Sequence, residues 1–172
     1  LVGSEMCIRD RSSDASATQT TKTVSSSLNP EWGEVFAFDG GREADSVTVC
    51  VYDYDYIGRD DPIGEVQISV QDAARQFVAY GAEGRWYRLQ GESCGTGEVK
   101  LAFECTSRMN EETPDQFLLS LGTDSSVLFD VTFDVISARN LSAADDCGTS
   151  DPYAIVFIRE RSSSHVTPTV DS

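Results

Sequence analysis

Apolar and polar residues alternate with a period of two along several short stretches of the chain, which is the pattern of β-strands that bury one face. The longest such stretch is residues 127–137, where every second residue from Val127 to Val135 is Val or Phe. The predicted strands span residues 19–24, 32–38, 46–52, 63–70, 86–89, 98–104, 127–137, 153–157 and 165–170. The polar start of residues 71–80 predicts only a short helical turn, so the chain is predicted to be all-β.

Two further features divide the chain. Residues 106–126 carry Pro114 and several acidic residues with little periodicity, and they are predicted to be a linker. The sequence TKTVSS at residues 21–26 is similar to TPTVDS at residues 167–172, an offset of 146 residues. The repeat is consistent with a tandem array, in which one module would end in residues 12–105 and the next would begin in residues 127–172.

An acidic loop joins two of the predicted strands in residues 49–66, VCVYDYDYIGRDDPIGEV. Asp53, Asp55 and Asp61 recur there as D-x-D-x5-D. Two carboxylates about 6 Å apart repel by roughly 0.7 kcal/mol at the dielectric of water and roughly 3 kcal/mol at an effective dielectric of about 20, so a cation would stabilise the group. Calcium suits a loop of oxygen ligands better than magnesium does, because it tolerates irregular geometry. A solvated acidic loop without a ligand is the alternative.

The calcium-binding loop of a helix-loop-helix hand does not explain this stretch. That loop reads D-x-[DN]-x-[DN]-G-x5-E, and Asp53, Asp55 and Gly58 fit its first, third and sixth positions. Ile57 occupies the fifth position and Gly64 the twelfth, so the bidentate glutamate is missing. The flanking residues alternate with period two, which predicts a loop between strands rather than between helices.

Four motifs make the chain resemble the C2 domain, and together they cover most of residues 19–170. They are SLNPEWGEVFAF at residues 27–38, VYDYDYIGRDDPIGEV at 51–66, WYRL at 86–89 and ARNLSAADDCGTSDPYAIVFI at 138–158. The resemblance implies an eight-stranded antiparallel β-sandwich of Greek-key type. It also implies calcium binding in loops at one end of the sandwich and, as in many members, docking on phospholipid.

The resemblance assigns the calcium ligands to two loops. The implied ligands are Asp53, Asp55 and Asp61 from the acidic loop and Asp145 and Asp151 from ADDCGTSD at residues 144–151. Asp146 would offer only its backbone carbonyl, and Asp60, which has no match, is expected to be solvated. The matching first loop of the first module would fall before residue 1 or within residues 1–11, so that half of its own site is missing.

The two partial modules are expected to complete one another. Residues 19–104 lack the first strands of a sandwich and would expose an open sheet edge, while residues 127–170 are too few to stand alone. Joined, they make one eight-stranded sandwich in permuted order. In that arrangement Asp145 and Asp151 should approach the acidic loop, and the duplicated strand at residues 165–170 should sit loosely at an edge.

The function that the resemblance implies is calcium-dependent docking on anionic phospholipid membranes. Tyr56, Ile57 and Arg59 at the loop tip would supply an amphipathic ring, an aliphatic wedge and a phosphate partner, although loop packing is the alternative role for the tyrosine and the isoleucine. A calcium-independent scaffold that binds protein partners is the alternative function. No enzyme is expected, because His165 is the single histidine and the sequence contains no G-x-S-x-G, phosphate-loop or metal-protease motif.

Composition narrows the class of partner. A chain of 172 residues with a formal net charge of −16 and 13 scattered Lys and Arg residues is a poor match for nucleic acid, which needs a basic stripe. The same charge opposes direct docking on anionic lipid unless a cation intervenes. No run approaches the roughly 20 apolar residues of a membrane span. The chain is therefore expected to be cytoplasmic and reversibly associated with the membrane surface.

Residues 1–11, LVGSEMCIRDR, are excluded from the fold. SEMCIRDR resembles the translated end of a transposon-based sequencing adapter, and its charged residues interrupt any apolar core of a signal peptide. Outside this segment lie Cys50, Cys94, Cys105 and Cys147, whose spacing fits no zinc pattern. Reduced thiols of a cytosolic protein are expected.

Overall fold

The computed structural model describes residues 18–42, 45–93, 95–107, 128–145 and 148–159. These residues form two four-stranded antiparallel sheets and a helix, α1 (Val70–Tyr80), which is followed by a short 3₁₀ turn at Gly81–Glu83. The strands are β1 (Thr18–Thr20), β2 (Glu31–Arg42), β3 (Ser46–Asp53), β4 (Asp61–Ser69), β5 (Arg85–Arg88), β6 (Glu98–Ser107), β7 (Leu128–Arg139) and β8 (Pro152–Arg159). The predicted eight-stranded antiparallel β-sandwich is confirmed.

Strands from the last third of the described chain lie inside both sheets. One sheet has the order β1-β8-β3-β4 and the other the order β2-β7-β6-β5. In the first, Val156 of β8 lies opposite Val49 of β3, and in the second, Phe133 of β7 lies opposite both Phe36 and Phe103. The sandwich is thus completed in permuted order, as predicted. β6, predicted as the closing strand of a module, lies between β7 and the edge strand β5.

The core lies between the sheets and is centred on Phe133. Its ring stacks on Phe38 with centroids 5.4 Å apart and contacts Phe36 at 6.1 Å and Phe103 at 6.0 Å. Trp32 packs against this core from the start of β2. Aromatic and aliphatic side chains from both segments of the chain therefore share one core, whose burial is the main source of stability.

The face that β8 turns to the core was predicted wrongly. Alternation along the predicted strand 153–157 puts Tyr153, Ile155 and Phe157 on one face, in the pattern of the apolar face of residues 127–137, but Ala154 and Val156 are the fully buried residues. Both faces of this strand are apolar, so its pattern alone cannot tell the core face from the outer one. On the outer face, Tyr153 stacks on Tyr52 of β3 with ring centroids 5.8 Å apart.

The helix is longer than the single turn that the sequence predicted. α1 begins after Ser69, whose hydroxyl oxygen accepts a hydrogen bond from the backbone N–H of Asp72, and it ends at Gly81 with φ of 55°. Val70, Ala73 and Ala74 are buried against the sandwich at the i, i+3, i+4 spacing of a helix. Ser69 and Asp72 at the start of the helix, and the spacing of its buried residues, are visible in the sequence and would have predicted a full helix.

Other predictions differ at the ends of elements or fall outside the description. β1 has three residues where a strand over residues 19–24 was predicted, and β2 continues to Arg42 through part of a predicted connection. The predicted strand at residues 165–170, residues 108–126 of the predicted linker, Cys94, Asp146 and Cys147 lie outside the described residues. Cys50 and Cys105 are buried, reduced cysteines, and burial raises the pKa of Cys105 to about 12, so that thiol is unreactive near neutral pH.

A half-buried carboxylate on the outer face of the second sheet makes stability depend on pH. Oδ1 of Asp134 has no hydrogen-bond partner among the described residues, and burial raises the pKa of this carboxyl. The folded chain therefore holds this proton more tightly than the unfolded chain does. Its contribution to stability falls as the pH rises from about 3.8, the ordinary pKa, through the raised pKa of the folded state.

Asp134→Asn is expected to raise the free energy of unfolding at neutral pH by roughly 0.5–1 kcal/mol, after allowance for solvent screening. The gain should shrink below about pH 4, where the wild-type carboxyl is protonated. Denaturant unfolding at both pH values measures it. Glu104→Gln, which removes an exposed charge on β6, is the matched control for the high net charge; equal gains from the two variants would contradict a specific cost at Asp134.

Candidate functional site: an acidic end of the sandwich

Strand pairing brings two loops together at one end of the sandwich. Asp53 is the last residue of β3, and it lies opposite Asp61 at the start of β4 and Pro152 at the start of β8. The acidic loop, from Asp53 to Asp61, and the loop before β8, described at residues 141–145 and 148–151, therefore meet at the same end of one sheet. Their carboxylates belong to residues about a hundred positions apart in the sequence, yet the shared partner strand β3 makes them neighbours.

Asp53 occupies the centre of this end. Its side chain is only 1% exposed, and its Oδ1 accepts a hydrogen bond from the backbone N–H of Asp151. Burial raises the pKa of Asp53, and the Asp145 carboxylate raises it further, while the hydrogen bond from the Asp151 N–H acts in the opposite direction. A buried carboxylate in a negative field is the electrostatic setting that a cation would relieve.

The loop before β8 is held by its own hydrogen bonds and by the segment that precedes β2. The Ser150 hydroxyl is fully buried, donates to the carbonyl of Ser142 at 3.1 Å and accepts from the N–H of Ala144 at 3.0 Å. Oδ1 of Asp151 accepts a hydrogen bond from the N–H of Ser26 at 2.6 Å. The Asp151 carboxylate is thus fixed by a backbone group 125 residues earlier in the chain, which sequence reasoning did not find.

Asp55 lies on the acidic loop in the field of the other carboxylates. Burial raises its pKa, and the nearby charges of Asp61, Asp145 and Asp60 raise it as well. Asp55, Asp61 and Asp145 therefore interact electrostatically across the two loops. Asp53 and Asp151 lie beside them, so all five residues of the predicted ligand set lie at one end of the sandwich.

The tip of the acidic loop projects into solvent. Tyr56 is 91% exposed and Ile57 is 88% exposed, and Arg59 is also exposed. Gly58 has φ of 128°, a conformation that other residues rarely adopt, so glycine is required for the turn at this tip. Tyr54 is 45% exposed beside it, an apolar residue that the sequence analysis did not include in the tip.

Asp60 is not simply solvated, and that prediction was wrong. Its Oδ1 accepts a hydrogen bond from the backbone N–H of Asp55 at 3.0 Å, and its Oδ2 accepts one from the Tyr153 hydroxyl at 2.6 Å. The D-x-D-x5-D spacing does not include Asp60, and Tyr153 was assigned to the core face of its strand. The pattern therefore gave no sign that these two side chains meet.

The carboxylate oxygens at this end suit a hard cation, but the described side chains are not arranged closely enough to coordinate one. Among the described residues, no group of three or more His, Cys, Asp or Glu side chains is arranged so that it could hold a metal ion as it stands. The carboxylates of Asp53, Asp60 and Asp151 instead accept hydrogen bonds from backbone N–H groups. Carboxylate oxygens on two loops, whose charges raise the pKa values of Asp53 and Asp55, are the ligands and the field that calcium fits.

The fold and the acidic end define a β-sandwich module of the C2 type. A family model described as C2 domain matches residues 5–89 and 129–172, so the chain belongs to the C2 domain family. At the level of the family, membership supports a module of the calcium- and phospholipid-binding type, and C2 domains are generally binding modules rather than enzymes.

The relatives are longer proteins. Human synaptotagmin-7 is 34% identical over 143 residues, which cover 80% of this chain and 30% of the relative. Human synaptotagmin-5 is 32% identical over 146 residues, covering 80% and 32%, and FT-interacting protein 1 of Arabidopsis thaliana is 33% identical over 100 residues, covering 55% and 13%. The chain thus spans about a third or less of these relatives. No solved structure matches it significantly.

Within the described part of the chain, the structure contains no helix with both the length and the apolar character needed to span a bilayer.

Proposed function

We propose that the chain is a calcium-dependent phospholipid-binding module that docks on anionic membranes through Ca²⁺ held by Asp53, Asp55, Asp61, Asp145 and Asp151. The observation that carries the proposal is the meeting of two distant loops at Asp53, which lies opposite Asp61 and accepts a hydrogen bond from the N–H of Asp151. The charges of Asp61 and Asp145 also raise the pKa of Asp55. Calcium bound there would supply positive charge between these carboxylates and the phosphates of the lipid. The chain's own contribution is to hold its oxygen ligands on one rigid end of a sandwich.

The loop tip supports membrane docking rather than cation binding alone. Tyr56 and Ile57 are the most exposed large apolar residues among those described, and they lie between Asp55 and Arg59. The transfer of an aliphatic side chain from water to the interfacial region lowers the free energy, and a guanidinium pairs with phosphate. The tip therefore offers an apolar contact and a phosphate contact beside the acidic group.

The net charge of −16 makes this docking conditional. An acidic protein is repelled by an anionic membrane surface, so binding requires that the local charge at the acidic end be offset. We propose on this basis a cytoplasmic protein that associates with membranes peripherally and reversibly as the calcium level changes.

Sedimentation with vesicles tests the proposal. The full chain should pellet with phosphatidylserine-containing vesicles in calcium, remain in the supernatant in chelator, and bind much less to neutral phosphatidylcholine vesicles. High salt should weaken binding because the contact is electrostatic. Binding that is equal with and without calcium, or absent in both cases, would contradict the proposal and favour the calcium-independent protein-interaction scaffold.

Ile57→Ser is expected to weaken vesicle binding in calcium by about three- to tenfold, because the aliphatic side chain contributes only after it meets lipid. Calcium binding in the absence of lipid should be unchanged, as measured by calorimetry. The matched control is Val35→Ser, which removes an aliphatic side chain that is 63% exposed on β2 of the other sheet. Equal losses of lipid and calcium binding would mean that Ile57 supports the shape of the loop.

We also propose that the chain joins parts of two consecutive C2 modules, residues 12–105 and 127–172, through a linker at residues 106–126, after a non-native segment at residues 1–11. The separation of the family match into residues 5–89 and 129–172 supports two partial modules, as does the repeat of TKTVSS as TPTVDS; the first match begins within residues 1–11 and does not support the non-native segment. The complete transcript tests it: an LNP-like turn and an aspartate-rich loop should follow residue 172. A different continuation would contradict a tandem array.

A further inference from the structure

The side chain of Asp60 joins the acidic loop to the neighbouring strand. One carboxylate oxygen accepts from the N–H of Asp55 at 3.0 Å, and the other accepts from the hydroxyl of Tyr153 on β8 at 2.6 Å. The first bond closes the loop upon itself, and the second ties the closed loop to the sheet. Hydrogen bonds to a carboxylate are roughly twice as strong as neutral ones, so both contacts restrain the backbone that carries Asp55 and Asp61.

Tyr153 is itself firmly placed. It lies opposite Tyr52 in the register of β3 and β8, and the two rings are stacked with centroids 5.8 Å apart. Burial and the Asp60 carboxylate raise the pKa of the Tyr153 hydroxyl, so it remains a proton donor at neutral pH. The loop is thus anchored to a central strand of the sheet rather than to another loop.

The acidic loop needs such an anchor because its carboxylates repel one another. Asp55 stands in the field of Asp61, Asp145 and Asp60, and that repulsion favours conformations in which the loop opens. A restraint that is present without a cation lowers the cost of gathering the carboxylates when one binds.

We propose that Asp60 and Tyr153 form a latch that holds the acidic loop in its binding shape before any cation arrives. Both are positioning residues: the latch acts through the backbone of Asp55, and neither side chain is assigned as a ligand. The consequence for calcium rests on the proposed function, whereas the restraint of the loop does not.

Tyr153→Phe in the full 172-residue chain tests the restraint, because it removes one hydroxyl and keeps the ring that stacks on Tyr52. In chelator, hydrogen exchange of the Asp55 amide should become about fivefold faster, and calcium affinity should fall by about three- to fivefold. Tyr87→Phe is the matched control, since the Tyr87 hydroxyl is buried without a hydrogen-bond partner among the described residues. Unchanged exchange at Asp55 in Tyr153→Phe would overturn the latch.

A second pair of variants separates positioning from charge. In Asp60→Asn, the amide oxygen can still accept from the Asp55 N–H and the amide nitrogen can donate to the Tyr153 oxygen, so exchange and calcium affinity should stay within about twofold of wild type. Asp60→Ala breaks both contacts and should behave like Tyr153→Phe or worse. If Asp60→Asn and Asp60→Ala weaken calcium binding equally, Asp60 acts by its charge and the latch is wrong.

The two readouts distinguish failure of the latch from failure of the proposed function. A wild-type chain that does not bind calcium would remove the proposed function, while exchange at Asp55 in chelator would still decide whether the latch exists. A fall in thermal stability of Tyr153→Phe without faster exchange at Asp55 would assign the hydroxyl a general structural role and overturn the proposal.

Discussion

Phe133→Ala is expected to lower the free energy of unfolding by about 3–5 kcal/mol, which is a large part of the stability of an ordinary domain. The ring of Phe133 is 1% exposed and touches Phe36, Phe38 and Phe103, so its removal leaves a cavity that three aromatic neighbours cannot fill. Denaturant unfolding followed by circular dichroism measures the loss. The midpoint should fall strongly while the slope of the transition stays the same.

This variant also tests the permuted assembly. Phe133 lies on β7, in the segment after residues 108–127, whereas all three of its ring partners precede that segment. If residues 128–159 did not complete the sandwich, truncating Phe133 would leave residues 18–107 unaffected. Val35→Ala on the outer face of β2 is the control and should change stability by less than about 0.5 kcal/mol. Similar small effects from both variants would contradict the shared core.

Much of the sandwich could be predicted from the sequence because the strongest signals are local. Strands β4, β6 and β7 alternate clearly, each with one apolar face, and the spacing of the strands along the chain favours an all-β fold. The predictions of the core face and of the helix failed where the alternation of apolar and polar residues does not distinguish the possibilities. β8 is apolar on both faces, and α1 was read by its polar start rather than by Val70, Ala73 and Ala74.

The acidic loop was predictable, and the contacts that shape it were not. The spacing of Asp53, Asp55 and Asp61 lies within nine residues, so it is visible in the sequence. The bond between Asp60 and Tyr153 joins residues 93 positions apart, and the bond between Ser26 and Asp151 joins residues 125 apart. Such contacts depend on the pairing of distant strands, which alternation does not specify.

Asp55→Asn is expected to weaken calcium binding by at least about tenfold, because it removes one charge from the middle of the proposed ligand set. The amide keeps one oxygen in place of two, so the loss measures the charge together with one oxygen ligand. Calorimetry of the full chain gives the affinity. Glu83→Gln, which removes an exposed charge after α1, is the control for the net charge and should leave the affinity unchanged.

The free energy of unfolding of Asp55→Asn in chelator should not fall along with its calcium affinity. Burial and the charges of Asp61, Asp145 and Asp60 raise the pKa of Asp55, so its ionised form is disfavoured in the folded chain at neutral pH. Removing that charge should leave stability in chelator unchanged or raise it, and the difference should vanish as the pH falls to where the wild-type carboxyl is protonated. A variant that lost both stability and affinity would have disturbed the loop instead. An unchanged calcium affinity would remove Asp55 from the ligand set, since a ligand cannot give up its charge without a loss of affinity.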